Sequence, residues 1–312
     1  MIHVIRSSNR IIPKRIAAAT TVLFMLLFMV TPSYKAQAEE QKNYKVVASS
    51  NYKVRVHIYS NGNIFTHKPQ KNYEYNENAL LTKEWYHYSD GYNASFDYRY
   101  TGNQVEYSAW DNGVEKLKPI RNELGQVVEM KEEKVTCARL TYYADGTIKT
   151  IKEAPYEKGG SELTFSYKYK NGRPISETLR CTYKNNHHRK QVKYFTYDKN
   201  GFITRVIEYN KLEGEKKYKS EDITYNNTYD KDGYPIVIKA KSKRYSKDGS
   251  GSISSVGVST TRYTYQPVVI PKHMEATVKQ QQWSIICRDT LNYQFGGTYI
   301  FDSYYLPCLL VL

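Results

Sequence analysis

Eight Asn-Gly or Asp-Gly pairs punctuate this chain, at Asn61, Asp90, Asn112, Asp145, Asn171, Asn200, Asp232 and Asp248, each followed by glycine. A tight reversal between antiparallel strands needs backbone at positive φ, which Gly, Asn and Asp tolerate and β-branched residues do not. The pairs predict serial hairpins with two-residue type I′ turns at Gly62, Gly91, Gly113, Gly146, Gly172, Gly201, Gly233 and Gly249.

The residues between the turns agree. Leu163, Phe165, Tyr167 and Tyr169 alternate with Thr164, Ser166, Lys168 and Lys170, and Tyr52, Val54, Val56 and Ile58 alternate with Lys53, Arg55 and His57. Period two gives each strand one apolar and one hydrated face. The fold expected is all-β: an extended antiparallel meander, a ribbon of repeated hairpins over residues 51–266. Tyrosine, with 32 residues against 9 Phe, suits half-buried strands because its ring packs while its hydroxyl stays wet.

A unit recurs around the turns. Tyr142, Asp145, Gly146, Ile148 and Ile151 follow the same spacing as Tyr197, Asn200, Gly201, Ile203 and Val206, and as Tyr229, Asp232, Gly233, Pro235 and Ile238. An isolated hairpin is marginal in water, and repetition lets each one pair with its neighbours. The pattern Tyr-x-x-x-Gly-x-[Ile/Leu]-Thr-x-Val of Tyr197 to Val206 resembles the YD or RHS-type repeats of bacterial secreted and surface proteins, over roughly Asn51 to Tyr265. The resemblance implies a long β ribbon, which large members curl into a shell around a C-terminal cargo. Here the turns are unevenly spaced and no self-cleavage signature or cargo domain is visible, so the ribbon alone is carried over.

The ends read differently. Residues 1–38 hold Arg6, Arg10, Lys14, Arg15 and Lys35, no acid, an apolar run from Ile16 to Val30, and small residues at Ala36 and Ala38. This is the pattern of a secretory signal peptide cleaved after Ala38. The apolar run is shorter than the roughly 20 residues of a spanning helix. Residues 39–50 are expected to be a flexible N-terminus. Pro267 and Pro271 are expected to end the strands, and Lys272 to Ile286 predicts a short helix within 267–288, packed through Met274, Val278 and Ile285 as a cap on the sheet edge. Residues 289–312 are aromatic and apolar, and three readings stay open: a last hairpin at Gly296-Gly297, an interaction tail, or sequence foreign to the domain.

The chemistry on offer is sparse. Cys137, Cys181, Cys287 and Cys308 contain no C-x-x-C, so neither a zinc nor a redox motif is supported. Four thiols allow three pairings, of which Cys137–Cys181 is the least strained, with unbridged thiols as the alternative. His187 and His188 are adjacent, so on a strand they point apart. No nucleophile elbow, phosphate loop or His-Glu-x-x-His occurs. No catalytic residue, metal site or cofactor is expected.

The formal charge of +15 points to anionic partners. Lys239, Lys241, Lys243 and Arg244 are the candidate polyanion-binding residues, and Tyr167, Tyr169, Tyr225 and Tyr229 the candidate aromatic face for stacking on sugar rings. A cell-wall polymer or glycan is the expected partner, nucleic acid is not, and membrane contact is expected only through an uncleaved signal segment. The function expected is a secreted, non-catalytic binding or scaffold protein at the bacterial cell surface. The alternatives are a secreted glycan hydrolase, which needs two close acids in a deep pocket, and a scaffold fragment of a larger repeat-toxin system.

Overall fold

The computed structural model describes residues 40–292 except 88–92, 102–103, 110–116, 133–134, 155–160 and 184–187. The expected signal peptide, Gly91, Gly113, His187 and the tail from 293, with Cys308, lie outside the described residues.

The strands in chain order are β1 (Gln41–Ile58), β2 (Ile64–His67), β3 (Gln70–Tyr75), β4 (Leu81–His87), β5 (Asn93–Thr101), β6 (Gln104–Ala109), β7 (Leu117–Arg121), β8 (Val127–Glu132) and β9 (Val135–Tyr142). They continue as β10 (Ile148–Glu153), β11 (Glu162–Lys170), β12 (Arg173–Thr182), β13 (His188–Tyr197), β14 (Ile203–Leu212), β15 (Tyr218–Tyr229), β16 (Pro235–Tyr245) and β17 (Ile253–Pro271). A short turn of 3-10 helix (Lys272–Met274) leads into α1 (Glu275–Asn292).

The predicted antiparallel meander is present, and its two ends meet. β2 and β3 lie end to end along β1 as one interrupted strand. From β3 onward each strand pairs with the next, and β17 returns to pair with β1 from Gln41↔Pro271 to Ile58↔Ser255. The ribbon is therefore a closed wall, a step that the uneven turn spacing argued against. Closure removes the open edges that otherwise template aggregation.

Two expectations about the ends are corrected. Residues 41–50 are not a flexible segment, because they form the first half of β1 against β17. Pro267 does not stop β17, which runs on and ends at Pro271. Its pairing with β16 ends at Val237↔Arg262, and beyond that point it pairs with β1 alone. A strand with one partner tolerates a missing N–H.

One turn has the predicted two-residue form, and most of the others are one residue longer. Asn171 and Gly172 both sit at positive φ, 53° and 72°, which is the two-residue type I′ geometry. At Gly201 the loop has three residues. Gly201 N–H donates to Asp198 O (3.0 Å), Asp198 N–H donates to Phe202 O (2.9 Å), and Gly201 takes φ 86°. This is a type I turn closed by a left-handed glycine, and the turns ending at Gly125, Gly146 and Gly233 repeat it. The residue that opens the turn also caps it: the Asp198 carboxylate accepts from Phe202 N–H, and Asp230 accepts from Asp232 and Tyr234 N–H. Asn76 opens the same turn between β3 and β4, but Ala79 (φ 57°) stands in the glycine position.

The repeated tyrosine has a structural task. At four positions a tyrosine donates its hydroxyl to the backbone at the start of the preceding strand, while Tyr229 of the repeat donates to the Asp198 carboxylate instead. Tyr197 reaches Pro174 O (2.6 Å), Tyr265 reaches Pro235 O (2.7 Å), Tyr142 reaches Val127 O (2.6 Å) and Tyr100 reaches Leu81 O (2.7 Å). These carbonyls lie at the end of the wall where the turns interrupt the ladder, so the clamp satisfies acceptors that the sheet leaves over.

The helix is enclosed, not laid over an edge. Ser284 to Leu291 are all buried, which a surface helix does not do. Ile285, Ile286, Cys287 and Leu291 join one apolar core with inward residues from around the wall, among them Tyr73, Leu140, Phe165, Val206 and Tyr263. Met274 and Val278 join Val46, Ala79, Leu80 and Ile270 in a second cluster. There Gln281 is fixed between Ala79 O and Leu81 N–H, both at 3.0 Å, so α1 grips a turn in which alanine stands in the glycine position.

Candidate functional site

A meander places alternate turns at the same end of the wall. The turns β3–β4, β7–β8, β9–β10, β11–β12, β13–β14 and β15–β16 form one rim, and α1 enters there after β17. Three structural features accompany this geometry: a buried ion-pair centre, a cleft at the helix entrance, and a cationic outer wall.

The ion-pair centre fixes the helix. Arg288 Nη1 donates to Glu84 Oε1 (3.1 Å), and Nη2 bonds the second carboxylate oxygen. Tyr98 hydroxyl donates to the same Oε1 at 2.8 Å. Asp289 accepts from Lys71 Nζ (2.7 Å), from Ser50 Oγ (3.0 Å) and from the Tyr73 hydroxyl. All four charged side chains are fully buried. Burial alone would raise the Asp289 carboxyl, but the Lys71 ammonium and Arg288 guanidinium outweigh it and hold it below the ordinary carboxylate range.

A second charged row crosses the inner wall. Register aligns Glu177, Lys193, Glu208, Glu221 and Arg244 on five successive strands. Lys193 Nζ lies 3.9 Å from Glu208, and Arg244 Nε lies 3.5 Å from Glu221. Burial, reinforced by the opposite Glu208, pushes the Glu221 carboxyl up to about 8 against the pull of Arg244. Arg244 thus faces inward and does not belong with the candidate polyanion-binding lysines, because residue 244 falls on the other phase of the strand.

Lys239, Lys241 and Lys243 are exposed on the outer wall. The strands beside them add cations that the sequence reading did not group with them. Lys239 pairs across β17 to Lys53 through Thr260, and Lys241 to Arg55 through Val258. Arg262 extends the patch along β17. Lys53, Arg55, Lys239, Lys241, Lys243 and Arg262 form no ion pair among the described residues, and Asp222, opposite Lys243, is held by Arg205 and Lys219. Only the β1–β17 closure brings these three strands together, which is why spacing in sequence did not show it.

The candidate aromatic face is a correction. Tyr167 and Tyr225 are buried in the core, at 1% and 7% exposure, so neither ring is open to stack on a sugar. Tyr229 is half-buried and donates to Asp198, and Tyr169 packs edge-on against Tyr143 at 6.3 Å. Period two separates the faces without saying which one turns inward. Cys137, Cys181 and Cys287 are thiols, so the Cys137–Cys181 bridge is not formed, and Cys137 Sγ donates to Met130 O. Among the described residues no group of His, Cys, Asp and Glu is arranged to hold a metal ion. His188 lies beside Thr182 (3.3 Å), in a cleft of about 380 Å³ on the opposite rim with Arg180, Arg189, Lys190 and Lys211.

The larger cleft, about 530 Å³, opens on the helix rim. Its walls are Tyr44, Phe202, Tyr234 and Trp283, and the turns at Asn171-Gly172, Asn200 and Asp232-Gly233 form its lip. The Trp283 indole is held by Nε1–H donating to Gly201 O (2.8 Å) and by the tilted Tyr197 ring 6.4 Å away.

This arrangement defines the class: an antiparallel β wall closed on itself around its own C-terminal helix. No family profile matches the chain, and no curated protein matches it in sequence. Among solved structures it is similar to a porin-like protein from Bacteroides uniformis, at 13% identity over 70% of this chain and 98% of that one, with a TM-score of 0.45. A porin-like protein from Bacteroides vulgatus gives 14% identity, the same coverage of both chains and a TM-score of 0.41. It is also similar to TcdB2-TccC3-TEV, at 12% identity over 72% of this chain and 10% of that one, with a TM-score of 0.36.

Proposed function

We propose that this chain is a secreted, non-catalytic binding protein of the bacterial cell surface whose outer wall holds a repeating polyanion of the envelope. The observation that carries the reading is the six-cation patch on β16, β17 and β1, exposed and in no ion pair among the described residues. Residues two apart on one strand stand about 6.7 Å apart, and positions two strands away about 9.6 Å. A rigid grid of charges at that pitch meets successive anions of a polymer without first ordering itself.

Membrane-spanning barrels turn an apolar band outward and polar residues inward. This wall does the reverse at β1, with Lys53 and Arg55 outward and Tyr52, Val54 and Val56 inward. No described helix is long and apolar enough to cross a membrane.

The hydrolase alternative requires two close acids in a deep pocket. Glu208 and Glu221 are neighbours across the wall but line neither cleft, and the two acids of the larger cleft, Asp232 and Glu275, are engaged by Lys45 and Lys42. Binding is therefore the better reading.

The test is retention of the full chain on immobilised polygalacturonate and on a poly(glycerol phosphate) wall polymer. The variant Lys239→Glu/Lys241→Glu/Lys243→Glu, with an unchanged melting temperature, is expected to lose retention at least tenfold. Equal retention of wild type and variant removes the outer wall as the binding surface.

A further inference from the structure

The rim cleft has features that the polyanion grid does not use. Its aromatic walls are fixed, its lip is rich in amides, and its charges do not balance. Glu275 is paired with Lys42, and Asp232 is paired with Lys45. Of the two cations of the cleft, Lys279 stands one helical turn from Glu275 and acts on its carboxylate, whereas Arg173, half-buried, forms no ion pair among the described residues. A half-buried guanidinium left unpaired in a cleft of this kind is placed for an anion.

Arg173 occupies space that a missing side chain leaves open. Its guanidinium lies across Gly201 so closely that a Cβ there would stand 2.1 Å from Nη2. Gly201 also carries the carbonyl that orients the Trp283 indole. One glycine of the repeat therefore aligns both a cation and an aromatic plane toward the same space. Asn171, Asn200, Gln280 and Gln282 add planar donor–acceptor groups around them. The volume falls within the range of about 300–1,000 Å³ for small-molecule sites.

We infer that the rim cleft binds one acidic sugar residue, its carboxylate on Arg173 and its ring against the aromatic wall containing Trp283. A pyranose presents an apolar face to an indole, vicinal hydroxyls to amides, and, in a uronic acid, a carboxylate to a planar fork. This site is separate from the outer wall and goes beyond the polyanion reading, since a single sugar cannot span the cation grid.

The experiment is a titration of the full chain with methyl α-D-galacturonide, methyl α-D-galactoside and uridine monophosphate, followed by saturation-transfer NMR and tryptophan fluorescence. The galacturonide is expected to bind at least tenfold more tightly than the galactoside. Arg173→Gln is expected to erase that preference while keeping its melting temperature. Gly201→Ala, which displaces Arg173 without removing it, is expected to weaken binding at least fivefold, whereas Gly125→Ala, also at positive φ (75°) but outside the cleft and with nothing near its Cβ, leaves binding within twofold. The outer-wall triple variant is expected to bind the monosaccharide as wild type does, which separates failure of this site from failure of the wall. Equal affinity for galacturonide and galactoside, undiminished binding by Arg173→Gln, preference for the nucleotide, or no binding of the galacturonide at millimolar concentration overturns the inference.

Discussion

Arg288 near the end of α1 and Glu84 on β4 form a two-pronged ion pair with neither side chain exposed to solvent. The two residues are 204 positions apart in the chain, and their contact fixes the helix inside the wall. Removing one partner leaves the other charge buried and alone. Arg288→Ala is expected to cost about 3–5 kcal/mol of unfolding free energy, and Arg288→Met/Glu84→Leu considerably less than Arg288→Ala. Urea unfolding of the three proteins checks this, and an Arg288→Ala loss below about 1 kcal/mol would place the helix elsewhere.

The tyrosine clamps act locally. Tyr197→Phe and Tyr142→Phe remove only the hydroxyls that reach Pro174 O and Val127 O. Each is expected to cost about 1 kcal/mol, and the pair to add, because the two sites share no partner. Strong non-additivity in thermal unfolding would show that the clamps work as one network.

Gly201 and Gly233 take the same φ, 86°, but only Gly201 has a neighbour where a Cβ would go. Alanine at either is expected to cost about 1–2 kcal/mol for the left-handed backbone. The extra cost at Gly201 is small, since the group that must move is the flexible end of Arg173. Melting temperatures of the two variants should agree within a few degrees, and a far larger loss at Gly201 would mean Arg173 is rigidly held.

Glu221 gives the protein a pH dependence. Its carboxyl is raised by burial, reinforced by Glu208, so the fold holds the proton more tightly than the unfolded chain does. That contribution is complete below the ordinary carboxylate range and is lost as pH rises through about 8. Stability is expected to fall between pH 5 and 8 by at most about 1.4 kcal/mol per pH unit from this group. Glu221→Gln should flatten that slope, and denaturation midpoints of both proteins across the range test it. An unchanged slope would show that Glu221 is ionised in the fold.

Turn residues and alternation were legible because each depends on only a few neighbouring residues. Asn171-Gly172 states its own backbone, and Tyr52 to Ile58 states its own period. Closure was not legible, because the pairing of Tyr52 with Thr261 joins opposite ends of the β region and any strand edge offers the same donors and acceptors. The three-residue turns were missed because the cap is Asp198 or Asp230, not the Asn or Asp before the glycine. The enclosed helix had a sequence signal that went unread. Lys71 shares a phase with Tyr73 and Tyr75, and Glu84 one with Tyr86, so each places a charge on an inward face that needs an opposite charge. Nothing in the sequence says that Asp289 and Arg288 supply it. The same blindness to inside and outside made Tyr167 and Tyr225 look like a binding face.

The most direct test of the polyanion wall is the salt dependence of binding. Affinity of the full chain for polygalacturonate, measured by titration calorimetry from 50 to 300 mM NaCl, is expected to fall linearly on a log–log plot with a slope steeper than about −3, as counterions leave the polymer when several cations engage it. The charge-reversed Lys239, Lys241 and Lys243 variant should flatten the slope by about 2–3. A salt-independent affinity in the wild type would contradict the account.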